Sequence, residues 1–389
     1  SYTIFPQNKR HIFGPIVGLI ATLAPTVGPT VGGYLTELMS WHWLFFINIV
    51  PGIVVTVAAL NLIDFDQPHL KLLRRFDWLG LLLMALFLCS LEFVLEEGPG
   101  NDWFADRWIL IFTVLTVLGA LGFFYRALTR EEPIVDLSAF ADRNFATGCL
   151  LSFIMGVGLY GLTYLYPLFL GHVRHYNSLM IGETVLVSGA AMFLGAPIAG
   201  RLSAKMDGRV MVAIGFVGMA VSSWLMTRMT GDWDFAELFL PQVLRGFSLM
   251  FCIIPINNLA LGTLPEERIK NASGLYNLTR NLGGAVGLAA INTVLNDRLD
   301  LHLARLHEAV SRNNHAALDW LDKMAHRFAD YGSDANTMAL KKLAEMVRGQ
   351  AYIMSMADVF VVLAALFALT LLVIPFIHKA THAAPADAH

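Results

Sequence analysis

Ten apolar runs, most of them near or above 20 residues, leave this chain few architectures to choose from. They lie near 12–36, 42–63, 78–96, 107–128, 146–171, 178–202, 209–229, 236–263, 272–295 and 356–378. A run of about 20 residues crosses the roughly 30 Å hydrocarbon core of a bilayer as a helix. Only helices and closed barrels satisfy every backbone group in that solvent. Composition agrees, since 56% of the 389 residues are hydrophobic and 15% are charged, against roughly 25% charged in soluble domains. The mean hydropathy is +0.59. The fold class expected is therefore an all-α polytopic membrane protein.

Basic residues in the short loops set the orientation. One side collects Lys9, Arg10, Lys71, Arg74, Arg75, Arg126, Arg130, Arg143, Arg201, Lys205, Arg209, Arg268, Lys270 and Lys379, and the other has only Arg107, Arg174 and Arg228. Both chain ends are then cytoplasmic, as ten spans require. The stretch 296–355 is charged and rich in helix formers, and falls on the far side as a solvated helical hairpin between the last two spans. Cys89, Cys149 and Cys252 are scattered through apolar segments and make no disulfide or metal pattern. His172 with His175, and His302 with His307, lack a third ligand, so no metal is expected. No P-loop or other enzyme signature occurs, so the chain is read as no enzyme and ATP is not its energy source. Nothing points to nucleic acid.

Gly14, Gly18, Ala21, Pro25, Gly28 and Gly32 recur at steps of three and four residues, which puts them on one face of a helix. Such a stripe lets a second membrane helix approach backbone to backbone, and the prolines bend the helix that carries it. Shifting this segment by 259 positions lays Pro6 on Pro265, Lys9 on Arg268 and Gly28 on Gly287. The second copy shows Ser273, Asn277, Arg280, Gly284, Gly287 and Ile291 on the matching face. Paired halves around a midplane site are a common transporter plan.

Longer strings then become specific. GPTVGG (Gly28, Pro29 and on to Gly32 and Gly33) resembles the antiporter motif of major facilitator drug exporters. WHWLFFINIVPG (41–52) and EPIVDLSAFADRNFATGCL (132–150) resemble segments of the fourteen-helix drug–proton antiporters of the EmrB/QacA type. FLPQVLRGFSLMFCIIP and LPEER…LYNLTRNLGGAVG continue the likeness across the chain. In GRLSAKMDGR (200–209), Ala204 stands where the family's loop motif has Asp. The resemblance implies a major facilitator fold with about ten transmembrane helices present of an expected fourteen, the first four and the family's main proton-carrying acid preceding Ser1. It implies the remainder of an N-terminal six-helix bundle over 1–63 and two linker helices with cytoplasmic loops over 64–145. A C-terminal six-helix bundle over 146–378, with its periplasmic helical insertion at 296–355, and a cytoplasmic tail at 379–389 follow. It further implies proton-coupled efflux of amphipathic drugs or toxic compounds across a bacterial inner membrane by alternating access. No cofactor is implied beyond the proton-motive force. The implied partners are an amphipathic solute, protons, the lipid bilayer, a periplasmic adaptor protein and an outer-membrane channel. Export or import of one metabolite such as a siderophore, or a non-transporting scaffold or sensor, remain the alternative functions.

Polar groups inside the spans are the candidates for the solute and proton pathway, because an intramembrane ionisable group costs about 2.5–3.5 kcal/mol on insertion scales. Arg245 lies eight residues from Glu237, roughly 12 Å deep at 1.5 Å per residue, with Gln242 one turn away. Arg280 and Asn277 lie on the repeat face. Glu92 is the acid deepest in an apolar span, and its alternative reading is a structural or lipid-facing role on a linker helix. Tyr160 and Tyr164 share a helix face and suit either aromatic solutes or ordinary packing. Asn257 either ties helices together or meets the solute. The conformational set is Gly14, Gly18, Pro25, Gly28, Pro29, Gly32, Gly33, Gly284 and Gly287. Asn48 is expected to hold its helix against a neighbour.

Overall fold

A computed structural model of the chain describes residues 27–62, 76–130, 133–203, 205–310, 314–329 and 334–377. Gly14, Gly18 and Pro25 lie outside these residues. The described structure is helical throughout. Helix α1 covers 27–38, followed by α2 (Trp43–Phe46) and α3 (Ile49–Leu62). Helices α4 (Trp78–Glu97) and α5 (Arg107–Thr129) form an antiparallel pair. Then come α6 (Arg143–His172), α7 (Ser178–Ser203), α8 (Gly208–Met226), α9 (Phe235–Leu261), α10 (Glu266–Ala309), α11 (His315–Arg327) and α12 (Ala335–Thr370).

The starts of these helices are written in the sequence as short polar residues. Asp77, Asp106, Asp142, Asp207 and Asp234 cap α4, α5, α6, α8 and α9 through backbone N–H groups of the first turn. Asn177 does the same for α7, accepting from the Met180 amide at 2.9 Å. Such caps satisfy donors that a helix leaves open. At α9 the cap is reciprocal, because the Glu237 carboxylate accepts from the Asp234 amide at 2.9 Å.

Helix α9 is the centre of the main bundle. It packs against α6, α7 and α8, while α10 lies along α6 and α12 bridges α10 to α8. The helices meet at positions where a β-carbon has no room. One added at Gly215 of α8 would lie 2.5 Å from the Cys252 sulfur, and one at Gly246 of α9 would lie 2.4 Å from the Ser188 carbonyl oxygen. The buried core is large and apolar, with Phe145, Phe169, Phe216, Phe360 and Phe367 all fully enclosed. The α4–α5 pair docks on this bundle through α10.

At one end of the bundle, which carries α11 and is called the insertion end, the loops are tied to the helices. Asn296 donates to the Pro99 carbonyl at 2.8 Å, and the Trp103 indole donates to Thr293 Oγ1 at 3.2 Å. Arg174 donates to the Gly231 carbonyl at 3.0 Å and pairs with Asp234 at 3.6 Å. At the opposite end Asp77, almost fully buried, accepts from Arg126 at 2.6 Å and Arg130 at 2.7 Å. Burial works against the charged carboxylate. The Arg126 hydrogen bond, the Gly80 amide and the two guanidinium charges outweigh it and hold the Asp77 carboxyl below its usual range.

Eight helices among the described residues are long and apolar enough to cross a membrane. They match the expected spans from 42–63 to 236–263, and the last. Three expectations change. The span expected at 272–295 is part of the 44-residue helix α10, which is not among the eight. Its asparagines and Arg280 lower its hydropathy, while it packs along the apolar helix α6. The insertion 296–355 is helical as expected, but it is built from the end of α10, α11 and the start of α12 rather than from a two-helix hairpin, and α10 and α12 run into it from the bundle without a break. Among the described residues Asn48 reaches no neighbouring helix; its amide donates to the Leu44 carbonyl one turn back, at 3.1 Å.

Candidate functional site

Two seams and two polar clusters bring the candidate residues together. The first seam joins α6 and α10, which run parallel. A β-carbon on Gly156 would lie 2.1 Å from the Arg280 carbonyl oxygen. One on Gly283 would lie 2.0 Å from that of Phe153, and one on Gly287 would lie 2.9 Å from the Val157 Cα. Gly284 lies under the Tyr160 ring, 2.3 Å from its Cδ2 by the same measure. These are backbone-to-backbone contacts that a larger residue would break. Gly284 and Gly287 thus join α10 to α6.

Tyrosines then lace the seam. Tyr160 donates to Asn281 Oδ1 at 3.1 Å, and Tyr164 donates to Asn292 Oδ1 at 2.9 Å. Arg280 donates to Asn277 Oδ1 on its own helix at 2.8 Å.

The second seam joins α1 to α7. Thr30 Oγ1 donates to the Gly182 carbonyl at 3.0 Å across 152 positions of sequence. A β-carbon on Gly33 would lie 2.3 Å from the Ser178 carbonyl oxygen, and one on Gly182 would lie 2.6 Å from that of Pro29. Gly32 meets only the tip of Leu44 at 3.6 Å, and Gly28 meets nothing within 4 Å. The two copies of the repeat therefore differ in use: Gly33 and Pro29 reach α7, whereas Gly284 and Gly287 reach α6.

The first polar cluster lies inside the bundle. Arg245 of α9 is 2% exposed, donates to Thr163 Oγ1 of α6, and sits 5.5 Å above the Tyr166 ring. Among the described residues its Nε and Nη1 have no partner, and neither does either end of the fully buried Gln242 amide. Buried donors without acceptors are rare and costly, so this is a store of unspent hydrogen-bonding capacity in an otherwise apolar core.

The second cluster lines a cavity of about 300 Å³ between α4, α6 and α10. Its walls include Leu88, Glu92, Tyr160, Asn281 and Leu288. Glu92 of α4 thus stands opposite Tyr160 of the main bundle. Asn257 is exposed near the end of α9, apart from both clusters.

Thr163, Tyr166, Asn281, Asn292, Ser178 and Gly182 escaped the sequence reading. The signal for most of them was available. Tyr160, Thr163, Tyr164 and Tyr166 put four hydroxyls into seven residues of one apolar span, where most buried hydroxyls seek a partner.

The sequence matches the family model of the Major Facilitator Superfamily over residues 3–288. It is 37% identical over 369 residues to the colistin resistance protein EmrB of Acinetobacter baumannii, covering 95% of this chain and 72% of the relative. It is 31% identical to the multidrug export protein EmrB of Escherichia coli K12, covering 93% of this chain and 70% of the relative. The fatty acid resistance protein FarB of Neisseria gonorrhoeae is 27% identical over 93% of this chain and 70% of its own length. Among solved structures, the fold is similar to that of a bacterial homolog of the human lysosomal transporter Spinster in an inward-facing, unoccupied conformation. The TM-score there is 0.50 and the identity 14%, over 96% of this chain and 72% of the other.

Proposed function

From the premise that this chain belongs to the Major Facilitator Superfamily, we propose that it exports amphipathic compounds across a bacterial inner membrane in exchange for protons. Relatives named for resistance to colistin, multiple drugs and fatty acids support an amphipathic cargo. The observation that carries the reading is the α1–α7 seam. It joins a helix near the start of the chain to the main bundle through two glycines, Gly33 and Gly182, and one hydrogen bond from Thr30. A seam of small residues without interlocking side chains or ion pairs is cheap to open and close, as rocking of one half against the other requires. The seam lies toward the insertion end, so closing it shuts one side of the central space. In this reading Arg245 and Gln242 supply polar groups for the cargo, and an adaptor and an outer-membrane channel continue the path.

The test is drug-dependent proton movement in proteoliposomes containing the full-length protein. An imposed proton gradient, acid on the side that receives cargo, should drive cargo toward that side, and adding cargo should collapse the gradient. Gly182→Leu should cut the rate at least about tenfold with normal insertion, since a side chain there cannot fit against Pro29. Cargo movement that ignores the proton gradient would overturn the reading, as would full activity of Gly182→Leu.

A further inference from the structure

Glu92 is a carboxylate in an apolar setting. From Trp78 to Leu95 no other charged residue occurs on α4. Leu88 lies one turn before it, and Leu278, Leu282 and Leu288 of α10 form the facing wall. Among the described residues no hydrogen bond or ion pair reaches its side chain. Glu92 is exposed on this face, and a charge on a membrane-spanning helix is costly unless its side chain reaches water or a cation that brings its own apolar surface offsets it.

The rest of the cavity favours the second solution. Its volume of about 300 Å³ is at the lower end of the range for small-molecule sites, which runs from about 300 to 1,000 Å³. Tyr160 rests on Gly284 and lines the cavity with its ring, which attracts a cation through its π face. Its oxygen, while donating to Asn281, still has lone pairs to accept. The cavity thus offers one negative charge, one aromatic face and a leucine-lined wall.

We propose that this cavity is a binding site for an organic monocation, with Glu92 as its counter-charge, Tyr160 as its aromatic contact and the leucines holding its apolar body. The idea rests on the export reading only for its purpose. The same ammonium chemistry is carried by free amphipathic cations and by amine headgroups of lipids. Glu92 lies five residues from Glu97, roughly 7.5 Å inward at 1.5 Å per residue, so both can reach it.

Binding of tetraphenylphosphonium to the full-length protein in nanodiscs tests the proposal. Glu92→Gln, which keeps the side-chain shape, should weaken binding at least about tenfold, or about 1.4 kcal/mol. Glu92→Asp, which keeps the charge, should retain binding to within about threefold, and Tyr160→Leu should weaken it. Binding of an amphipathic anion serves as the check on folding and should be the same in Glu92→Gln and wild type. Discs of phosphatidylglycerol alone, compared with discs containing phosphatidylethanolamine, identify the occupant. If the amine lipid lowers wild-type affinity for the probe, the lipid headgroup competes for the site. If it does not, the site serves the free cation, and either result leaves the cation site standing. Unchanged affinity in Glu92→Gln, or equal loss in Glu92→Gln and Glu92→Asp, would overturn it. Proton movement by the wild type is read separately, so failure here does not touch the export reading.

Discussion

At the scale of one residue, Arg245 is the buried arginine of the main bundle and the polar group on which the export reading leans most. Its charge was legible in the sequence because no apolar span carries an arginine without cost. Its partners were not legible, because Thr163 and Tyr166 come from a helix 80 residues earlier and nothing local pairs them with position 245. The structure shows a guanidinium with one hydrogen bond, one aromatic face and two idle nitrogens. Arg245→Ala should abolish export while leaving the amount of inserted protein close to normal, as measured by transport and by membrane yield. Arg245→Lys should rescue little, since an ammonium cannot reproduce the planar fork. Undiminished export by Arg245→Ala would remove Arg245 from the pathway. Glu92 was legible in the same way, but its setting was not. The sequence of α4 gives no sign that it faces Tyr160.

Elements are held by two kinds of join, and they should fail differently. The α6–α10 seam is steric. Gly156→Val should separate the helices, because a β-carbon there already overlaps the Arg280 carbonyl. Overpacking costs about 1–3 kcal/mol or more, and the readout is a lower melting temperature in detergent. The α4–α5 join adds an electrostatic clasp to the packing of Gly119 on the Phe87 backbone and of Phe93 on Phe112. Asp77→Asn removes charge-assisted bonds to Arg126 and Arg130, worth about 1–3 kcal/mol, so α4 and α5 should exchange amide hydrogens faster. The pH dependence has a definite sign. The Asp77 carboxyl titrates lower when folded than when unfolded. Its stabilisation is therefore complete above the unfolded value of about 3.9 and is lost only as pH falls through the lower folded value. The helix starts were readable from Asp and Asn. The ends of α10 and α12 were not, because hydropathy marks where a membrane stops and says nothing of where a helix stops.

Across the whole molecule, the parts beyond the bundle are continuous with it. His302 of α10 is buried and shares a 2.9 Å hydrogen bond with Asp358 of α12, which Arg298 also approaches at 3.6 Å. His172 of α6 stacks on Tyr352 of α12, with ring centres 5.4 Å apart. These contacts fasten the projecting helices where they leave the bundle. Amide exchange across 296–306 and 340–355 should therefore be slow, and Asp358→Asn should speed it around 298–306. Fast exchange in the wild type would overturn this fastening. Charge and helix propensity made the insertion readable as helical and solvated. Its rigidity depends on pairs such as His302–Asp358, 56 positions apart, which no local pattern announces.

A rod anchored at one end moves most at its tip. Any small tilt of α10 or α12 within the membrane is therefore delivered, enlarged and without slack, to whatever grips the far end. In the export reading, mechanical news of each turnover would reach the insertion through two unbroken helices.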